Sequence, residues 1–259
     1  MNFVLSAFLI TLGLFFGMLL FLEVGRRIGV QRRAQDPDGA VAGTGPVDGA
    51  IFALLGLLLA FTFAGAASRF DTRRALIVEE TNAIGTAYLR LDVLPASAQP
   101  PMRELFRRYV DARLETYRKL PDVEAVMAEL NRANQLQGEI WSQAVAAGRM
   151  EGAPPTATML LLPALNQMID ITTTRTMASK THPPIAIFVM LFGVALASAL
   201  LAGYDMAGGK SRNWLHMVGF AAVLAMAVYV ILDIEFPRLG FIRVDAFDQA
   251  LVELRKGMN

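Results

Sequence analysis

The sequence lacks cysteine, so it offers no disulfide, no thiolate nucleophile and no zinc site built on cysteine. It also lacks a strong charge of either sign, because its formal net charge is only +1, and this argues against a nucleic-acid binder. No P-loop, Rossmann glycine motif, H-E-x-x-H or G-x-S-x-G sequence occurs in it. We therefore predict no catalytic residues, no metal site and no cofactor, and we do not expect an enzyme.

Charge is missing altogether from four stretches of the chain. Each stretch has 20 residues without Asp, Glu, Lys or Arg, although the chain contains 24 basic and 23 acidic residues. About 20 apolar helical residues are needed to cross a hydrocarbon layer of about 30 Å. The pattern predicts four membrane helices, near residues 3–25, 48–69, 184–204 and 213–233.

The first apolar run is longer than the core of a cleavable signal peptide and is followed at once by Glu23 and Arg26, so we expect a retained helix. Gly13 and Gly17 lie four apart, which predicts a face where another helix could pack closely. Plain exposure to lipid would satisfy the same pattern.

Residues 69–183 have the charge density of a soluble domain, and prolines divide them into helical segments. We predict that helix two continues unbroken to about Leu94. Further helices are predicted over 102–120, over 122–147 with Asp122 as the N-cap, and over 157–180 with Thr156 as the N-cap. No credible strand pattern is present.

The predicted fold class is all-α: a four-helix transmembrane protein with an extramembrane helical domain inserted between helices two and three. The predicted domains are residues 1–68, with a loop over 35–46; residues 69–183, the helical domain; residues 184–238, with membrane helices three and four; and a tail over 239–259. Basic residues flank the two sides almost equally, so the positive-inside rule does not fix the topology. The composition, rich in Ala and Arg, favours a bacterial inner membrane.

Two longer motifs resemble one known family. The stretch ALLGLLLAFTFAGAASRFDTRRALIVEETNAIGTAYLRLDVLP and the closing ILDIEFPRLGFIRV are similar to the signatures of the bestrophin-like family of bacterial membrane proteins, itself remotely similar to bestrophins. In bestrophins a long second helix lines a pentameric anion pore, so the resemblance implies a homo-oligomeric ion channel with its pore along helix two. The chain is shorter than bestrophins and lacks the long C-terminal region that carries their calcium site.

Helix two supplies the candidate pore lining. Residues four apart along it could form a narrow apolar neck that gates by dewetting, and the same stripe could equally pack against lipid or other helices. A hydroxyl in this run is more often bonded to its own backbone than to an ion. The candidate neck residues are Ile51, Leu55, Leu59, Thr62 and Phe63.

Charged residues at the helix ends form two further candidate groups. Arg69, Arg73 and Arg74 could form a cationic ring at a pore mouth, or could anchor to lipid headgroups or pair with acidic neighbours such as Glu80. The interfacial acidic residues could bind a cation, but interfacial salt bridges, for example with Arg26 or Arg238, are the simpler reading. These acidic residues are Glu23, Asp233 and Glu235.

Two functions remain open from the sequence. One is a homo-oligomeric channel for small inorganic ions. The other is a non-conducting, membrane-anchored scaffold or sensor that binds a partner through its helical domain. The expected partners are the lipid bilayer and further copies of the chain. Association could use the stripe Ile77, Ile84, Tyr88 and Leu91, although the domain's own helices could also cover it.

Overall fold

The computed structural model describes residues 3–36, 44–209 and 212–258, and every regular element within these ranges is a helix. Most of the predicted loop over 35–46 lies outside the described residues. The eight α-helices are α1 (Phe3–Gln35), α2 (Thr44–Leu89), α3 (Gln99–Arg118), α4 (Val123–Ala147), α5 (Pro155–Lys180), α6 (Ile185–Asp205), α7 (Trp214–Glu235) and α8 (Gln249–Gly257). Single 3-10 turns follow α2 and α6 and precede α8.

The four predicted membrane helices are confirmed as α1, α2, α6 and α7. By length and composition, each contains a stretch apolar enough to cross a membrane. The predicted boundaries of α6 and α7 are close to those observed, whereas α1 and α2 run further. The prediction that helix two continues without a break is confirmed as far as Leu89, where a 3-10 turn over Arg90–Val93 takes over. No proline or glycine pair interrupts α2 beyond Ser68, which is why the helix persists.

The chain divides into two compact units. Unit 1 comprises Met1–Ser68 and His182–Ile242, and unit 2 comprises Arg69–Thr181 and Arg243–Asn259. Residues 243–258 thus group with the helical segment 69–181, although the sequence motivated only a separate tail.

In unit 1, α1 packs along α6 and α7. Its core is formed by large apolar side chains of α1, such as Met18 and Leu22, against small residues of α6 and α7, such as Ala195, Ala199 and Ala221. Large side chains from one helix fill the space that small ones leave on the next, and the helices can approach closely.

Glycines bring α1 and α6 into backbone contact at one end of unit 1. A Cβ atom on Gly25 would meet the carbonyl oxygen of Leu200, and one on Gly203 would meet the carbonyl oxygen of Leu22. A Cβ on Gly13, in contrast, would meet nothing within 4 Å. Backbone contact therefore occurs at Gly25 and Gly203. Of the predicted pair, Gly17 lies close to the Leu196 side chain of α6, where an added Cβ would be 3.3 Å from it, and Gly13 has no such neighbour.

Unit 2 has an apolar core built from α3, α4, α5, α8 and the second half of α2. Phe106 and Tyr109 of α3 are fully buried in it, together with Ile140 of α4 and Leu165 of α5. The predicted cap of α4 is confirmed, since Asp122 Oδ1 accepts the Ala125 N–H at 3.0 Å. Thr156 is not a cap, because α5 already begins at Pro155 and the preceding proline holds the extended backbone of the N-cap position.

Candidate functional site: the two faces of helix α2

The apolar part of α2 has one face that the chain covers itself. Leu55 is only 4% exposed and belongs to the core of unit 1. Leu58 and Leu59 pack against the same core. Phe52 makes an edge-on contact with Phe220 of α7, with 6.3 Å between ring centroids. This face is occupied by neighbours within one chain.

The opposite face of the same stretch is left uncovered by the chain. Leu57 is 51% exposed and Phe61 is 66% exposed, and they lie four residues apart. Small side chains at Ala53, Ala60 and Ala64 are exposed beside them, and Leu54 and Phe63 are exposed at the edges of the same face. One apolar face of α2 is therefore available to something outside the chain.

These two faces separate the predicted neck residues. Leu55 is buried, Ile51 and Leu59 are half-buried, and Phe63 is exposed. Thr62 Oγ1 donates to the carbonyl oxygen of Leu58 at 2.7 Å, so its hydroxyl is satisfied by its own helix. Within the predicted stripe, Leu55 and Leu59 turn toward the chain's own core, whereas Phe63 lies at the edge of the uncovered face.

Arg73, within α2, contacts the end of α5. Its Nε donates to the carbonyl oxygen of Ala178 at 3.1 Å, and its Nη2 donates to that of Thr181 at 2.8 Å. These carbonyls terminate α5, where four backbone acceptors lack helical partners and the helix dipole favours a cation. The predicted ring of Arg69 and Arg73 at a pore mouth is therefore not supported for Arg73, whose side chain is buried as a cap of α5.

The neighbouring arginines also have partners. Arg74 pairs with Asp71 at 3.2 Å, and its guanidinium lies over the rings of Phe70 and Phe247, 5.4 and 4.5 Å from their centroids. Arg69 is half-buried. None of the three predicted mouth charges stands as an isolated cation on the uncovered face.

A buried ion network in unit 2 was not predicted from the sequence. Glu80 is fully buried and accepts from Arg113 Nε and from Arg175 Nη1, each at 2.5 Å. Arg175 also donates to Asp248 at 3.0 Å, and its guanidinium lies 3.9 Å from the ring centroid of Tyr117. Two carboxylates and two guanidiniums thus balance one another inside the unit. From helical spacing, Glu80 was expected only to be a possible partner of Arg69, Arg73 or Arg74.

The network keeps its charged state because of its surroundings. Burial by itself lowers the pKa of Arg113, but the neighbouring Tyr117 and the Glu80 carboxylate more than offset this, so its pKa lies above the ordinary value. Burial raises the pKa of Tyr109 to about 12, so its hydroxyl stays neutral and can donate to Thr172 Oγ1, 3.0 Å away. Gln137 completes this second polar contact by donating to the Tyr109 hydroxyl at 3.1 Å.

The acidic residue Asp233 is used inside unit 1 to hold backbone. Its carboxylate accepts the N–H of Phe241 at 2.9 Å and that of Ile242 at 2.7 Å. A Cβ atom on Gly240 would collide with the same carboxylate, so glycine is required where the chain passes. The aspartate and glycine of the D-x-E-x-P-R-x-G motif therefore form a clasp after α7, while Arg26 pairs with Glu23.

Glu235 and Glu23 are both paired with basic side chains. Glu235 is buried and lies 2.9 Å from His182 Nδ1, whose ring stacks on Phe236 with 4.5 Å between centroids. Glu23 contacts Arg26 at 3.2 Å, as the salt-bridge alternative predicted. Across the described part of the chain no group of three or more His, Cys, Asp or Glu side chains could hold a metal ion.

The residues that carry the two motifs lie in α2 and at the end of α7, and both positions fall inside one family match. A family model described as a bestrophin-like domain matches residues 11–246. The chain belongs to the bestrophin-like family. The first bestrophin-like motif thus contains the long two-faced helix with Arg73 and Glu80, and the second contains the Asp233 clasp.

Solved structures show that the bestrophin-like chain has the bestrophin fold. A single-substitution variant of a bacterial bestrophin homologue from Klebsiella pneumoniae is 15% identical, with a TM-score of 0.69 over 95% of this chain and 98% of that one. Another variant of that homologue gives 0.65 at 14% identity over 92% and 98%. A structure described only as a membrane protein gives 0.63 at 17% identity over 95% and 98%. No curated protein sequence matches the chain.

Proposed function

We propose that this bestrophin-like protein is a homo-oligomeric membrane channel for small ions, with its pore lined by the uncovered face of α2. The observation that supports it best is that this face, which carries Leu57 and Phe61, is apolar and exposed while the opposite face is filled by the chain's own core. When identical copies assemble, long helices that each leave an apolar face free can together surround a pore. Rings of Leu57 and Phe61 would then form a neck that resists wetting.

The proposal places residues 69–181 outside the bilayer as the domain inserted between membrane helices two and three. Its charged surface and its buried, neutralised ion network suit water on the outside and protein within. The stripe Ile77, Ile84, Tyr88 and Leu91 is buried in unit 2 itself and leaves association to other surfaces. A bacterial inner membrane is the proposed location.

The charge balance along α2 does not favour anions. Arg73 is buried against the end of α5. Asp71 and Glu79 are exposed, and Arg74 is paired with Asp71. Arg69 and Arg74 offset Asp71 and Glu79, so the charges that this stretch leaves outside the core are balanced. We therefore expect small cations to be conducted at least as well as anions, in contrast to the anion pore that the resemblance to bestrophins implies.

Two leucines of α2 provide a matched test of the pore. In liposomes that contain the purified protein, Leu57→Ala should raise ion flux. The alanine makes the neck wider and reduces its apolar surface, so water and ions enter it more easily. Leu55→Ala removes the same atoms from the covered face, and it should instead lower the free energy of unfolding by about 2–5 kcal/mol with little gain in flux. Flux measured with paired salts of large and small ions reports which ions pass.

Equal effects of the two alanines on flux would contradict the assignment of the faces. Wild-type liposomes that pass neither cations nor anions would remove the channel proposal altogether. The family and fold would then belong to a membrane-anchored scaffold or sensor, and unit 2 would be its partner-binding part.

A further inference from the structure

Three arginines share a single carboxylate at one end of unit 1. Glu23 Oε1 accepts from Arg27 Nε at 2.9 Å and from Arg212 Nη2 at 3.0 Å. Glu23 Oε2 accepts from Arg26 Nε at 3.2 Å and from Arg212 Nε at 3.3 Å. One negative charge therefore organises three positive charges, and the cluster keeps an excess of two positive charges.

The position of this cluster follows from the sequence. Glu23 is the first charged residue after the apolar run of α1, and Arg212 is the last charged residue before the apolar run of α7. Because α1 and α7 pack against each other, the arginines lie where two membrane helices leave the hydrocarbon together. This is the level at which a phospholipid carries its phosphate group.

The excess charge is accessible at this level. The side chain of Arg27 is 70% exposed and that of Arg212 is 45% exposed. Trp214 and Leu215 are exposed directly beside Arg212 at the start of α7, where an aromatic and an aliphatic side chain meet the upper part of the acyl chains. A cationic head and an apolar flank thus occur together.

The chemistry of the cluster matches a phosphate group. A guanidinium presents five N–H donors, and the bonds to Glu23 use one donor of Arg27 and two of Arg212. Several donors of each guanidinium are not used by Glu23, whose carboxylate fixes the planes of the side chains, and guanidinium groups bind phosphate oxygens in pairs. The shared carboxylate therefore makes the arginines a preformed receptor.

We propose that Arg27 and Arg212, held in place by Glu23, bind the phosphate headgroup of an anionic phospholipid whose acyl chains lie against Trp214 and Leu215. Anionic lipid would thus contact unit 1 specifically at the end where α1 meets the loop between α6 and α7.

The two tryptophans of the chain allow a direct binding measurement. In a Trp141→Phe background only Trp214 fluoresces, and a phospholipid with brominated acyl chains quenches it on contact. Full-length protein in mild detergent is titrated with brominated phosphatidylglycerol and, separately, with phosphatidylcholine carrying the same chains. We expect tight, saturable quenching by the anionic lipid and much weaker quenching by the zwitterionic one.

Arg27→Gln combined with Arg212→Gln should weaken binding of phosphatidylglycerol about 30-fold, since each arginine near an anionic surface contributes about 1 kcal/mol. Arg118→Gln combined with Arg132→Gln removes the same charge from exposed pairs of unit 2 and should leave the quenching unchanged. Glu23→Gln raises the net charge but removes the carboxylate that holds the guanidiniums, so it should weaken binding of phosphatidylglycerol; tighter binding would contradict the role proposed for Glu23.

Three outcomes would overturn the proposal. Equal quenching by both lipids would show an unspecific boundary layer. An equal loss in the unit 2 control would show that only total charge matters. Displacement of the brominated lipid by millimolar inorganic phosphate, with no dependence on the acyl chains, would assign the arginines to soluble phosphate and not to a lipid.

Discussion

Unit 1 and unit 2 differ in what they bury and what they expose. Unit 1 exposes large apolar side chains such as Phe16, Leu20 and Val223, and its helices meet through Gly25 and Gly203. Unit 2 exposes charges and buries an apolar core together with Glu80, Arg113 and Arg175.

The difference shows how each set of helices is held together. In lipid the hydrophobic effect gives no preference for one helix face over another, so close van der Waals contact at small residues must supply the association. In water the burial of an apolar core drives the association of the helices, and buried ion pairs add specific contacts between charged side chains. Substitutions in the two units should therefore destabilise the protein for different reasons. The loss of stability should depend on whether a buried charge or a close helix contact is removed.

The largest loss is expected when the buried charge balance of unit 2 is broken. Glu80→Gln leaves two buried guanidiniums with only Asp248 as a counter-charge and should lower the free energy of unfolding by about 3–5 kcal/mol. Glu79→Gln, one residue earlier and exposed, should change it by less than about 0.5 kcal/mol. Denaturant titration in mild detergent, followed by circular dichroism, measures both.

A similar midpoint for the two glutamine variants would show that the ion network contributes nothing to unit 2. In that case buried charge would not distinguish the way unit 2 is stabilised from the way unit 1 is.

An intermediate loss is expected when the close contact of unit 1 is broken. Gly203→Ala places a methyl group against the Leu22 carbonyl of α1 and should cost about 1–3 kcal/mol, since two backbones must move apart. Gly13→Ala adds the same methyl group where nothing lies within 4 Å and should be neutral or slightly stabilising. The thermal midpoint of tertiary unfolding in detergent distinguishes the two, and identical midpoints would contradict the packing described for α1 and α6.

The smallest of these effects is expected at a helix end of unit 2. Asp122→Ala removes the acceptor for the Ala125 N–H and should lower stability by about 1 kcal/mol. Asp122→Asn keeps a side-chain acceptor and should retain most of it. Limited proteolysis near residues 119–124, together with the unfolding midpoint, reports the local change. Faster cleavage of the asparagine variant than of the alanine variant would argue against a capping role.

Much of the fold could be predicted from local features of the sequence. The absence of charge marks the four membrane helices, proline marks the breaks near residues 95, 121 and 155, and Asp122 before an apolar pattern marks the start of α4. These features act within a few residues of where they occur, so a single sequence is sufficient to read them.

The candidate site was harder to predict from the sequence, because it depends on which face of a helix turns inward. Spacing places Leu55 and Leu59 on one stripe, but only the positions of α1, α6 and α7 show that this stripe is covered and that Leu57 is free. The same holds for Arg73, whose acceptors lie more than one hundred residues further along the chain. A charged residue beside a membrane helix gives no local sign that it will cap another helix.

The ion network of unit 2 also sets an order of events during synthesis. Glu80 is translated long before Arg175, which donates to it in the finished unit, and before Asp248, the second carboxylate that Arg175 contacts. At 5–20 residues per second the ribosome needs roughly 10–30 s to move from Glu80 to Asp248. During this interval Glu80 and the apolar stripe in the second half of α2 lack some of the side chains that surround them in the folded unit. A product truncated before residue 245 would lack Asp248 and the core residue Leu251, so part of the apolar core of unit 2 would face water and be open to the quality-control machinery of the cell.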